Sequence, residues 1–86
     1  MDRIVLVEDN ESLRTALAAL LEEHGYECAC FACAETALAA LRAGGSAACI
    51  LCDFKLPGKN GLEMLAEARE FLAETPFIIM TAYGSI

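Results

Sequence analysis

Short apolar runs alternate with stretches of helical periodicity along the whole chain, and this alternation leaves few folds open to it. Arg3 to Val7 is a continuous β-branched run of the kind found in strands covered on both faces. Tyr26 to Phe31, Cys49 to Cys52 and Phe77 to Met80 are three further short apolar runs. Between them the period changes. From about Ser12 to His24, Leu13, Leu17, Leu20 and Leu21 recur at helical spacing, with Asn10 near the start and Gly25 to close the end. Ala34, Ala37, Leu38 and Leu41 repeat the pattern ahead of Gly44-Gly45. A third helix is predicted from Leu62, Leu65, Arg69 and Leu72, broadened by Met64, Ala68 and Phe71 and broken by Pro76. Strict strand-helix alternation implies an α/β fold with a parallel sheet and right-handed crossovers. Laying the second strand on one side of the first and the third on the other gives order 2-1-3-4.

In that order two acidic groups fall together. Glu8-Asp9 closes the first apolar run and Asp53 closes the third, so three carboxylates meet at the carboxyl edge of the sheet, beside the reversal of strand order. Like charges there raise one another's cost of ionisation. A divalent cation relieves the repulsion, and an oxygen-only donor set suits magnesium. Asp53 is then the nucleophile and the Glu8-Asp9 pair the metal holder.

Composition narrows the remaining choices. At 86 residues the chain reads as one small domain, and its 57% hydrophobic content excludes disorder. Much of that content is Ala and Cys, so the core is thin. No apolar stretch approaches a membrane span and no basic-then-apolar leader is present, so the expected location is the cytoplasm. A net charge of −7 with six Lys and Arg argues against direct contact with a nucleic-acid backbone. Five cysteines cannot all pair within one chain and read as free thiols. Cys28, Cys30 and Cys33 form a C-x-C-x-x-C string. It is either a soft-metal or redox site, or Cys28 and Cys30 are small buried fillers in a strand with Cys33 opening the next helix.

Three strings carry a family resemblance: Leu6-Val7-Glu8-Asp9-Asn10; Leu51-Cys52-Asp53-Phe54-Lys55-Leu56-Pro57-Gly58-Lys59-Asn60-Gly61; and Met80-Thr81-Ala82-Tyr83-Gly84. In this order, each after a predicted strand, they resemble the receiver domain of two-component response regulators, and the ending Thr81 to Ile86 is similar to receivers of the NtrC type. The resemblance runs from Arg3 to Ile86 and implies a flavodoxin-like sheet, with residues 1–86 forming one receiver domain that lacks the last helix-strand-helix. It implies a phosphoacceptor signalling domain, not an enzyme in the usual sense. Asp53 would accept a phosphoryl group from a sensor histidine kinase. Glu8, Asp9, Asp53 and the backbone carbonyl of Lys55 would hold magnesium. Thr81 would donate its hydroxyl to a phosphoryl oxygen, and the small Ala82 would leave room for the donor. Regulation of transcription is the implied output.

The family's phosphoryl-binding lysine lies in the part beyond the fourth strand, and no residue of this chain is assigned to that role. Lys55 and Lys59 read as solvated, Pro57-Gly58 as turn chemistry and His24 as a surface residue at a helix carboxyl end. A fourth strand carrying Phe77, Ile78, Ile79 and Met80 at a sheet edge predicts self-association. Two alternatives to phosphoryl transfer stay open here: a protein-binding or dimerisation module, and a thiol or metal sensor.

Overall fold

The computed structural model describes residues 2–81; Ala82 and the Tyr83-Gly84 string lie outside the described residues. The elements are β1 (Arg3–Val7), α1 (Glu11–Glu23), β2 (Glu27–Phe31), α2 (Ala34–Arg42), β3 (Cys49–Asp53), α3 (Gly61–Ala68) and β4 (Phe77–Met80). All strand pairs are parallel and the order is β2-β1-β3-β4, as the alternation predicts.

Strand register sorts the side chains onto two faces. Val5 lies across from Ala29 and Ile50, and Val7 from Phe31 and Cys52. That face makes the core with Ala34, Ala37, Leu38 and Leu41 of α2 and Met64 and Ala68 of α3. The opposite face carries Ile4, Leu6, Cys28, Cys30, Cys49, Leu51 and Ile78 in register. There α1 packs over β2 and β1. None of its residues is buried, and Leu13 and Leu20 remain 45% and 52% exposed. The leucine stripe predicts a covered face. It stays half open because, among the described residues, α1 is the one helix on that side of the sheet.

Helix ends follow local hydrogen bonding. The Asn10 side chain accepts from the Leu13 N–H at 2.9 Å and starts α1. Asn60 and Glu63 form a reciprocal capping box, each backbone N–H donating to the other's side chain at 2.9 Å. The helical period predicts α3 through Leu72, yet the helix stops at Ala68. The Arg69 guanidinium donates to the carbonyls of Leu72 and Thr75, both at 2.8 Å, and so stabilises a turn that replaces the last helical turn. Phe71 and Leu72 still reach the core from that turn.

All five cysteines are free thiols. Cys28 and Cys30 share one face of β2 and Cys33 is the N-cap of α2. None of them belongs to a grouping able to hold a metal ion among the described residues. Cys33 opens α2 as the strand-filler reading expects, but that reading also expects buried fillers, and Cys28 is only half-buried while Cys30 is exposed, because α1 leaves this face of the sheet partly open.

Candidate functional site

The parallel ladder carries Glu8 to the site. Its N–H donates to the Phe31 carbonyl at 3.0 Å, which extends the β1–β2 pairing by one residue. Arg14 of α1 donates from Nη1 to the Glu8 carbonyl at 2.8 Å. The Glu8 carboxylate accepts from the Asn10 N–H at 3.0 Å. Asn10 thus fixes the acidic side chain with its main chain while capping α1 with its side chain. At 3% exposure Glu8 is a buried carboxylate, and burial, with the neighbouring Asp53 and Asp9 charges, raises its pKa above the ordinary value. The Asn10 N–H opposes that shift.

Asp53 is the last residue of β3, opposite Met80 of β4. The Phe54 N–H donates to the Met80 carbonyl at 2.8 Å, so pairing continues past Asp53 and fixes its direction. Asp53 is 7% exposed, whereas Asp9 is open to solvent. One carboxylate oxygen from each of Glu8, Asp9 and Asp53 lies within 4.8 Å of the others. The donor set is all oxygen and all anionic, which fits a hard divalent cation and not a thiolate-binding metal. A cavity of about 230 Å³ adjoins this cluster, lined by Glu8, Asp53, Leu13, Leu17, Met80 and Thr81. Its lining therefore combines two carboxylates with apolar side chains and the Thr81 hydroxyl. Thr81, at the end of β4, is brought to the same cavity, and Lys55 is exposed in the loop after Asp53. Ala82 lies outside the described residues.

Two features of that loop are not read from the sequence. The Gly61 N–H donates to the Phe54 carbonyl at 2.9 Å and closes the loop neck. A Cβ on Gly61 would come within 3.0 Å of the Asp53 carbonyl oxygen and Phe54 Cα, so the close approach requires glycine. Asn60-Gly61 reads from sequence as a turn signal, and its N-x-x-E context is the signal that marks it as a helix start instead. Lys59 is not merely solvated: its Nζ pairs with Glu67 of α3 at 2.9 Å, and its N–H donates to Glu35 of α2 at 3.0 Å.

The sequence model of the response regulator receiver domain matches residues 4–86. The transcriptional regulatory protein CpxR of Klebsiella pneumoniae is 38% identical over 85 residues, which are 99% of this chain and 35% of that protein. The response regulator TrrA from Thermotoga maritima, solved in complex with Mg(2+)-BeF, superposes with a TM-score of 0.91 at 33% identity, covering 98% of this chain and 72% of that one. TrrA solved in complex with histidine kinase ThkA gives a TM-score of 0.90 at the same identity, covering 99% of this chain and 72% of that one. The chain spans 18% of one curated relative's length and 40% of another's. A four-stranded 2-1-3-4 sheet, an acidic cluster at its switch point and a family match over nearly all residues agree, and this chain belongs to the response regulator receiver domain family.

Proposed function

We propose that this receiver domain, residues 1–86, takes a phosphoryl group on Asp53 from a sensor histidine kinase, with magnesium held by Glu8, Asp9, Asp53 and the backbone carbonyl of Lys55. The observation that carries the reading is the convergence of three carboxylates within 4.8 Å at the carboxyl ends of β1 and β3. In the transfer, an Asp53 oxygen forms a bond to phosphorus as the phosphorus–nitrogen bond of the donor breaks, which returns a neutral or protonated imidazole to the kinase. When bound, the cation neutralises charge on the transferring oxygens. The chain's own contribution is positioning. Pairing with β4 that continues past Asp53 holds it at the strand end, Asn10 holds Glu8, and Thr81 at the cavity wall offers its hydroxyl to a phosphoryl oxygen. The family resemblance gives the small Ala82, the next residue in the sequence, the role of leaving room for the donor. TrrA supports the reading as a similar protein solved both with Mg(2+)-BeF and with a histidine kinase.

The output is regulation of transcription through segments outside this receiver, a reading supported by the name of CpxR. We place the domain in the cytoplasm; among the described residues no helix is long and apolar enough to cross a membrane. The direct test is incubation with acetyl phosphate and magnesium, read by intact mass. One added phosphoryl group that disappears in Asp53→Asn is the expected result. An unchanged mass increment in Asp53→Asn would move the chemistry to another residue.

A second reading rests on Ile78, which is 51% exposed on the outermost strand. In that reading the domain works as a protein-binding or dimerisation module without phosphoryl transfer. Concentration-dependent mass with no phosphate uptake distinguishes it from the first.

A further inference from the structure

The loop between Asp53 and α3 is tied at its tip to a helix that contributes nothing to the acidic cluster. Glu35 lies in the first turn of α2, and its Oε2 accepts from the Lys59 N–H at 3.0 Å. Gly58, just before the residue that donates to Glu35, takes a φ of 73°, a conformation that favours glycine. A Cβ on Gly58 would sit 2.6 Å from the same Oε2, so the carboxylate and the loop backbone are in close contact over two successive residues. At the other end of the loop, the Gly61 N–H closes the neck on the Phe54 carbonyl at 2.9 Å. The segment carrying Lys55 is therefore clamped at both ends; at the tip the backbone is held by Glu35 of α2, while the Lys59 side chain pairs with Glu67 of α3.

We propose that Glu35 is a positioning residue for the acidic site: by holding the tip of the 54–60 loop on α2, it sets where the Lys55 carbonyl stands relative to Asp53, and so sets magnesium affinity. This rests on the reading that magnesium binds at Glu8, Asp9 and Asp53. Glu35 itself touches neither the cation nor the phosphoryl group. What the loop needs is an acceptor oxygen at that point, and charge is secondary. A glutamine supplies the oxygen and an alanine does not. Lys59 offers an internal control, because its side chain pairs with Glu67 while only its backbone meets Glu35.

The experiment is magnesium titration of the full 86-residue chain followed by backbone amide shifts, with urea unfolding of each variant in parallel. Glu35→Ala should weaken magnesium binding severalfold and speed amide hydrogen exchange at Lys59, while Glu35→Gln and Lys59→Met stay within about twofold of the parent. Gly58→Ala should weaken binding in the parent but less so in the Glu35→Ala background, where the crowded carboxylate is gone. Rescue by glutamine separates positioning from a general loss of stability, which the urea curves record independently. A parent that binds magnesium together with a Glu35→Ala chain that binds it equally well overturns the positioning role alone. Glutamine behaving like alanine overturns it too. A parent that binds no magnesium overturns the site reading, and the proposal falls with it.

Discussion

Glu8 and Asp9 are neighbours in sequence with opposite surroundings, and the difference assigns them different work. Glu8 is buried and held by the Asn10 N–H, with a raised pKa, so a cation that neutralises the cluster removes a cost already built into the fold. Asp9 is exposed and is the adaptable member of the pair. Asp9→Asn should leave the fold intact and weaken magnesium binding by roughly tenfold or more, measured by titration at fixed ionic strength. Cysteine reactivity is set by the same kind of surroundings. Burial, then the nearby Asp53 and Glu8 charges, push the Cys52 thiol up to about 12; partial burial raises the Cys30 thiol too, but Cys30 is exposed on β2, so the reagent reaches it. A thiolate is the reactive form. Brief alkylation at pH 8 followed by peptide mass analysis should therefore label Cys30 and leave Cys52 unmodified until the chain unfolds. Labelling of Cys52 at the same rate would mean that the α2–α3 side of the sheet opens far more readily than its packing implies.

At the scale of elements, α2 is joined at both ends to the chain beyond β3. Glu35 holds the loop tip at one end. At the other, Arg42 donates to Glu67 at 3.0 Å and lies over the Phe71 ring at 5.0 Å, while Lys59 shares the same Glu67. Hydrogen bonds from the Lys59 backbone lower the Glu35 pKa, and those from Lys59 and Arg42 lower that of Glu67. A depressed carboxylate contributes stability that is present above its unfolded value, 4.5, and is lost as pH falls through the folded value. Lys59 has the opposite sign: its raised pKa contributes below 10.5 and is lost as pH rises past the folded value. The stability difference between the parent and Glu67→Gln should accordingly be constant near neutral pH and shrink in acid, as read from urea midpoints across pH. A difference that grows in acid would contradict the pairing. Beneath this polar staple lies the packed layer, where Met64 is fully buried and meets the Cys52 thiol at 3.7 Å. Met64→Ala should cost about 2–5 kcal/mol by urea unfolding, because the cavity opens in the middle of the core.

These elements also show how far sequence carries. All four strands and the positions of Glu8, Asp9 and Asp53 were legible because strand ends are set by local runs of residue type, and strand order then brings the carboxylates together. The end of α3 was not legible. Helical period continues through Leu72, and what stops the helix is where the Arg69 guanidinium goes, a property of the folded turn. Glu35 was invisible for a related reason, since its partner is a backbone N–H 24 residues away and no pattern marks a main-chain donor.

For the whole molecule, the decisive imbalance is between the two faces of the sheet. One is covered by α2 and α3; the other has α1 over β1 and β2, with Leu51, Ile78 and Met80 on the side of β3 and β4. Among the described residues β4 is also the outermost strand, and it carries the exposed Ile78. An unpaired edge beside apolar surface is a template for another strand. The 86-residue chain in isolation should therefore associate with rising concentration, as seen by sedimentation equilibrium. Ile78→Lys should restore the monomer. Ile78 is the suitable position because it is exposed, whereas Ile79, opposite Cys52 in register, faces the α2–α3 side, where a charge would disturb packing. The same experiment bears on function. If Ile78→Lys is monomeric and still takes up phosphate from acetyl phosphate, association is separable from the chemistry at Asp53. If the parent stays monomeric and cooperatively folded at high concentration, β4 is protected in solution and the dimerisation reading is lost.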